Sequence, residues 1–252
     1  MPKWTLADGT ELNYEIYGQG SGKPCLLLLP GLLGSIASQW PPFAQSLSDQ
    51  FQVLLVDLRG HGRSTNSADS LEPGRMMQDV ADFLDGMGVT AVHVAGYSLG
   101  GYLGLMLALN QPRRVQTLLL HATKFYWSAD AVDQMQRQLN PETMAAKVPK
   151  YAEQLAQEHG GRHWRTLVRQ AAALVGELGQ SGLTEKVLGG VACPVLVSVG
   201  ERDSLVPIRE ALRVARMLPQ GELLVLPGVR HPFQTVRPVP LLPMMASFHR
   251  SR

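Results

Sequence analysis

The chain lacks most of the features that mark specialised proteins. Only two cysteines, Cys25 and Cys193, occur among its 252 residues. Neither CxxC nor metal-ligand spacing links them, so a disulfide framework and a cysteine metal site are excluded. They read as small core residues of a chain in a reducing compartment. An excess of one charge is missing as well: 23 Lys and Arg against 21 Asp and Glu leave a formal net charge of +2. The basic residues are scattered and form no stripe that could track phosphates, so nucleic acid is not an expected partner. Long apolar runs are also missing. Cys25–Leu29 is far too short to cross a bilayer, and Met1–Asp8 has no apolar segment of the kind a secretion signal carries. The expectation is a cytoplasmic protein without membrane contact. No internal repeat or low-complexity segment is present, and oligomeric state leaves no signature.

What is present suits one globular domain. Hydrophobic residues make up 45% and charged residues 17%, enough to bury one sizeable core, so residues 1–252 are expected to form a single domain. Asp8-Gly9-Thr10 separates two short runs, Trp4–Leu6 and Glu11–Tyr17, which predicts an opening antiparallel hairpin. After a turn over Gly18–Gly22, the run Cys25–Leu29 lies between Pro24 and Pro30 and reads as a strand buried on both faces. Phe51–Val56, Ala91–Ala95, Gln116–His121, Pro194–Val199 and Glu222–Leu226 are further short runs rich in Val or Leu. Met76–Met87 has helical spacing and stops at Gly88, while Leu99–Asn110 is small and apolar all round, as a buried helix requires. Strands alternating with helices predict an α/β fold with a mostly parallel central sheet flanked by helices.

One interval breaks this alternation. From about Lys124 to Lys186 only helical periodicity is found, in Ala131–Leu139, Val148–His159 and Trp164–Leu178. A helical insertion between two strands of an open α/β sheet emerges at their C-terminal edge, where ligands bind. The expectation is a cap over about 124–186; helices packed on the sheet flank, without a role in binding, are the alternative.

Gly96-Tyr97-Ser98-Leu99-Gly100 follows an apolar strand and precedes a helix. A serine on so sharp a turn is held in a strained backbone conformation, and residues two positions to either side must be small to avoid collision. Four other stretches accompany it: Leu29-Pro-Gly-Leu-Leu-Gly34 after the third strand, Asp57-Leu-Arg-Gly-His-Gly-Arg-Ser64 after the fourth, and two late loops, Gly200–Pro207 and Gly228–Phe233. On these motifs and their order, the chain resembles the α/β-hydrolase fold superfamily over nearly its whole length.

The resemblance implies a serine hydrolase with a Ser-Asp-His triad: Ser98 as nucleophile, His231 as general base and Asp203 as its acid partner. Glu201 shares the acid loop, but the resemblance puts the carboxylate three residues after the glycine. It also implies an oxyanion hole from the backbone N–H groups of Leu32 and Leu99. The family's loop commonly begins His-Gly; here it is Pro30-Gly31, which removes a bracing side chain but leaves the Leu32 donor, since Leu32 is not proline.

The remaining candidates divide by context. Asp57 and His61 are expected to hold turns together. His93, inside the strand feeding the serine, reads as a packed or edge-bonded residue, and His159, His163 and His249 as members of solvated helix faces. His121 ends the sixth strand, open between pocket lining and core, and is taken with Trp127 of the insertion as a substrate contact. Histidines and acids do not cluster at ligand spacing, so no metal is expected. Nor is any cofactor, because Gly96–Gly101 fits the serine turn better than a dinucleotide fingerprint.

The implied partner is a small-molecule substrate: a small or medium carboxylic ester, thioester or related carbonyl compound cleaved through an acyl-enzyme. Elimination or C–C bond cleavage by the same triad stays open as an alternative. A non-catalytic small-molecule receptor on this fold is a third reading. A serine at position 98 argues against the dehalogenases and epoxide hydrolases of the superfamily, which carry aspartate there.

Overall fold

Alternate residues of the central strands enter different cores, and this alternation builds the molecule. A computed structural model describes residues 2–20 and 22–250. Met1, Ser21 within the Gly18–Gly22 turn, Ser251 and Arg252 lie outside the described residues. The hairpin β1 (Lys3–Thr5) and β2 (Glu11–Tyr17) opens the chain, followed by β3 (Cys25–Leu29), α1 (Pro41–Leu47), β4 (Gln52–Val56), α2 (Pro73–Gly86), β5 (Val92–Tyr97), α3 (Leu99–Asn110) and β6 (Val115–His121). Five helices come next: α4 (Ala129–Gln138), α5 (Pro141–Lys147), α6 (Pro149–His159), α7 (His163–Ser181) and α8 (Glu185–Leu188). The chain then returns through β7 (Val195–Gly200), α9 (Ile208–Met217), β8 (Gly221–Leu226) and α10 (Pro238–Arg250).

The eight strands form one sheet in the order β1-β2-β4-β3-β5-β6-β7-β8. β2 runs antiparallel to β1 and β4, and every pairing from β4 to β8 is parallel. Because strand side chains alternate with period two, Leu27 and Leu29 of β3 join one core with α2, α3 and α7. Leu26 and Leu28 join the other, under α1 and α10. Both faces are covered, which is why β3 and β5 read as continuous apolar runs. α3 touches the sheet closely because residue 104 is glycine: a Cβ there would press on Leu118 and Val94 at 2.9 and 3.0 Å. Both cysteines are free thiols, and among the described residues no helix is long and apolar enough to cross a membrane.

Two buried polar clusters pin the loops at the sheet edge. Asp57, at the end of β4, is almost fully buried. Its carboxylate accepts from Ile36 N at 2.6 Å, Asn13 Nδ2 at 2.8 Å and Arg63 N at 3.0 Å. Arg59 forms a fork with both oxygens of Asp79 at 2.7 and 2.6 Å, and His61 Nδ1 donates to the Arg59 carbonyl at 2.8 Å. The Asp57–Ser64 motif therefore holds turns together.

Two histidines depart from the reading above. His159 and His249 are buried, not solvated. His249 Nδ1 and His93 Nδ1 share the Thr117 hydroxyl, at 2.6 and 2.7 Å, a partnership that draws α10 onto β5 and β6. His163, half-buried, lies 2.9 Å through Nε2 from the Gly60 carbonyl and donates to it.

Burial disfavours the charged imidazole. It pushes His61 and His249 down to about 3 and His121 down to about 4. A histidine unfolds to a pKa of about 6.5. Between that value and its folded pKa the unfolded chain therefore binds the extra proton, and stability falls as pH falls. Urea unfolding should show a clear loss of stability between pH 7 and pH 5, at up to about 1.4 kcal/mol per pH unit for each such histidine. His249→Gln, which takes up no proton, should remove about one proton from that slope; an unchanged slope would contradict the assignment.

Candidate active site

β5 ends at Tyr97 and α3 begins at Leu99, so Ser98 makes the entire turn between them. It does so at φ 51°, ψ −114°, a region that L-residues avoid unless their surroundings hold them there. The surroundings are backbone. A Cβ on residue 96 would run into the Gly100–Gly101 main chain, and one on residue 100 into the carbonyls of Leu29 and Pro30. Ser98 N donates to the His121 carbonyl at 2.8 Å, so the turn is fixed to β3 on one side and β6 on the other.

The loops after β7 and β8 bring the other two side chains to this turn. Asp203 Oδ1 accepts from the backbone of Leu205 at 2.9 Å and Val206 at 2.8 Å, which leaves Oδ2 for His231 Nδ1 at 2.9 Å. The Asp203 side chain has no exposed surface, and His231 is 19% exposed. A carboxylate accepts only, so the imidazole carries its proton on Nδ1 and presents the Nε2 lone pair. Nε2 lies 3.4 Å from Ser98 Oγ, a long contact of the kind that tightens when substrate binds. The Tyr97 hydroxyl donates to the His231 carbonyl at 2.6 Å, fixing the histidine loop directly to the serine turn. Glu201 is taken elsewhere: its carboxylate accepts from Gly228 N at 2.9 Å.

The loop after β3 lies against the same turn. Gly34 N donates to the Gly31 carbonyl at 2.9 Å, with Leu33 at φ 59°. The C=O and N–H of a trans peptide point in opposite directions, so pinning the Gly31 carbonyl inside the turn aims Leu32 N–H out of it. Pro30 offers no side chain to brace the start of this loop, and Gln39 and Trp40 brace it there. Gly31 N donates to Gln39 Oε1, and Trp40 Nε1 to the Leu29 carbonyl, both at 2.9 Å. Leu99 N belongs to the first turn of α3, whose N–H groups have no partner within the helix.

Comparison with known proteins agrees with this architecture. Residues 24–169 match the model of the alpha/beta hydrolase fold family. The chain belongs to that family. A relative from Agrobacterium fabrum, named "Putative carbamate hydrolase RutD", is 29% identical over 253 residues, with 90% of this chain and 94% of the relative covered. Among solved structures, a thermophilic esterase from Thermogutta terrifontis superposes with a TM-score of 0.81 at 22% identity, covering 100% of this chain and 99% of the other. A hydrolase from Pseudomonas aeruginosa gives 0.81 at 23% identity, covering 99% and 98%.

In this alpha/beta hydrolase a cavity of about 420 Å³ opens beside Ser98 and His231. The sheet side contributes Leu32, Leu99, Leu205 and Phe233. The helical segment between β6 and β7 contributes Met135, Leu139, Met144, Tyr151, Gln154, Leu174, Val175 and Leu178, and Trp127 lines the wall just before α4. His121 does not line it, which corrects the expectation of a substrate contact. It is fully buried at the end of β6 with Nδ1 3.1 Å from Ser198 Oγ on β7, because strand alternation sends it to the same face as Leu119, which packs in the core under α1 and α10. Among the described residues no three His, Cys, Asp or Glu side chains gather as a metal-binding group. Tyr97 and Gln39 escaped the sequence reading. Tyr97 had a signal of its own, lying inside the Gly96–Gly100 motif, whereas the role of Gln39 depends on a loop shape that no pattern announces.

Because two backbone carbonyls occupy the space beside residue 100, Gly100→Ala should cost at least about 3 kcal/mol of stability or prevent folding, as overpacking against main chain does. Gly74→Ala meets open space near the start of α2 and should leave the melting temperature unchanged or higher. Thermal unfolding of the two variants checks the contrast.

Proposed function

We propose that this alpha/beta hydrolase is a serine hydrolase that cleaves a small or medium carboxylic ester, thioester or related carbonyl compound through an acyl-enzyme. The observation that carries the reading is the continuous array Asp203–His231–Ser98 ending at an apolar cavity. His231 Nε2 takes the Ser98 proton as Oγ adds to the carbonyl carbon. The Leu32 and Leu99 N–H groups receive the developing oxyanion, a preorganised interaction of the kind worth several kcal/mol. Asp203, denied other partners by its two backbone bonds, keeps the imidazole in the productive tautomer and stabilises its cation. Collapse of the tetrahedral adduct expels the leaving group, which takes the proton from His231. Water, deprotonated at Nε2, then adds to the acyl carbon and releases the acid and Ser98.

The helical segment between β6 and β7 acts in this proposal as a cap whose apolar side chains hold the acyl group. The cavity volume lies within the range of small-molecule sites and exceeds what carbamate itself needs, so the apolar lining favours a medium acyl chain. A carbamate substrate is the second reading, supported by the name of the relative that aligns along 90% of this chain; attack on a carbamate carbonyl uses the same array.

In labelled water, ester turnover should place solvent oxygen in the acid product. An unsaturated product without label would instead show elimination. Asp203→Asn should lower kcat by about 10⁴-fold while the fold is retained, because the amide favours the wrong imidazole tautomer; activity within tenfold of the parent would contradict the role. Trp127→Ala should change the ratio of kcat/KM between short and long acyl chains, at about 1–3 kcal/mol per methylene affected. An equal loss across chain lengths would argue against the cap.

A further inference from the structure

The C-terminal end of α6 is tied by hydrogen bonds to the loop that carries Leu32. His159 Nε2 lies 3.1 Å from the Leu33 carbonyl, and His159 Nδ1 lies 2.7 Å from Gly62 N. Ser35 Oγ donates to Glu158 Oε2 at 2.7 Å. The partners determine the tautomer. Gly62 N–H can only donate, so Nδ1 holds the lone pair and a neutral imidazole carries its proton on Nε2, which donates to Leu33. Burial holds His159 below the usual histidine range and so in this neutral form. The second oxygen of Glu158 accepts from Gln154 Nε2 at 2.6 Å. Gln154 itself lines the cavity, as does Tyr151 one turn earlier.

These ties act on the strained part of the loop. Leu33 sits at φ 59°, the left-handed region that an L-residue leaves unless held. The turn that joins Gly34 N to the Gly31 carbonyl depends on that conformation, and the same turn sets the direction of the Gly31–Leu32 peptide. Whatever holds Leu33 therefore aims Leu32 N–H.

We infer that His159, backed by the Glu158–Ser35 bond, is a positioning residue for the oxyanion hole: it fixes Leu33 in its left-handed conformation and thereby directs Leu32 N–H at the reacting carbonyl oxygen. The inference rests on the serine-hydrolase reading of the site. His159 touches neither substrate nor triad; it acts through the loop. The cap helix that walls the cavity and the loop that supplies an oxyanion donor are one hydrogen-bonded unit, so a substrate that seats against Gln154 and Tyr151 also bears on the geometry of the donor.

The test compares His159→Asn, His159→Gln and Ser35→Ala with the parent on a chromogenic ester that the parent turns over, and with a boronic acid that forms a tetrahedral adduct on serine. Gln can present an amide N–H near the position of Nε2, whereas the shorter Asn reaches only the position of Nδ1. Removing an oxyanion donor outright lowers kcat by about 10²–10³. Misdirecting one, in His159→Asn, should lower kcat by about 10–100-fold with KM within twofold, and weaken the boronate by a similar factor. His159→Gln should recover most of both losses. Ser35→Ala, which leaves His159 in place, should lose several-fold in kcat. If His159→Asn does not fold, Ser35→Ala decides on the same two readouts. Unchanged kcat and boronate affinity, or losses in Asn and Gln variants alike that follow only the melting temperature, would overturn the inference. Ser98→Ala separates the two layers: if it is inactive, such results overturn the positioning role alone, whereas if it still turns over the ester, the reading beneath falls as well.

Discussion

A serine held at φ 51° between two glycines is the constraint on which the rest of this structure depends. That conformation is unfavourable in isolation, and it persists because main chain closes on the turn: the start of α3 lies against Gly96, the Leu29 and Pro30 carbonyls lie against Gly100, and the His121 carbonyl of β6 accepts from Ser98 N. The central parallel strands must therefore end at one level, and the two cores on opposite faces of the sheet are what hold them there. Local strain at residue 98 is sustained by cooperative packing elsewhere.

The loops around this turn are positioned chiefly by directed polar bonds. Asp203 is oriented by two backbone N–H groups, His231 by Asp203 and by Tyr97, and the loop after β3 by Gln39, Trp40, Asp57 and His159. Each donor or acceptor is buried or half-buried, so losing a partner leaves an unpaired polar group away from water. This gives the site a few definite positions in place of a continuum, as reaction geometry demands.

How much of this was legible in the sequence follows from the range of each interaction. β2, β3 and α3 carry their signals within one short window, an alternating or continuous apolar run, and their bounds are those the residues indicate. The juxtaposition of Ser98, Asp203 and His231 was legible from the order of four motifs along the chain. α1, α5 and α10 each begin at proline and are short or interrupted, with too few periodic residues to stand out. His159 and His249 were misread because the residues that bury them, Leu33 and Gly62 for one and Thr117 for the other, lie about a hundred residues or more away. His121 turned on its partner: the strand could be read, but not the Ser198 that pairs with it from β7. Local physics writes the elements, and partners chosen across the chain write the hydrogen bonds.

In the proposed mechanism Ser98 is made nucleophilic by its place in the Asp203–His231–Ser98 array. The most direct measurement is reaction with a fluorophosphonate, followed by peptide mass spectrometry. That mechanism predicts one adduct per chain, on the peptide containing Tyr97-Ser98-Leu99, formed quickly in the parent and far more slowly in His231→Ala. An adduct on Ser64 or Ser204, or labelling of Ser98 at the same rate without His231, would contradict it.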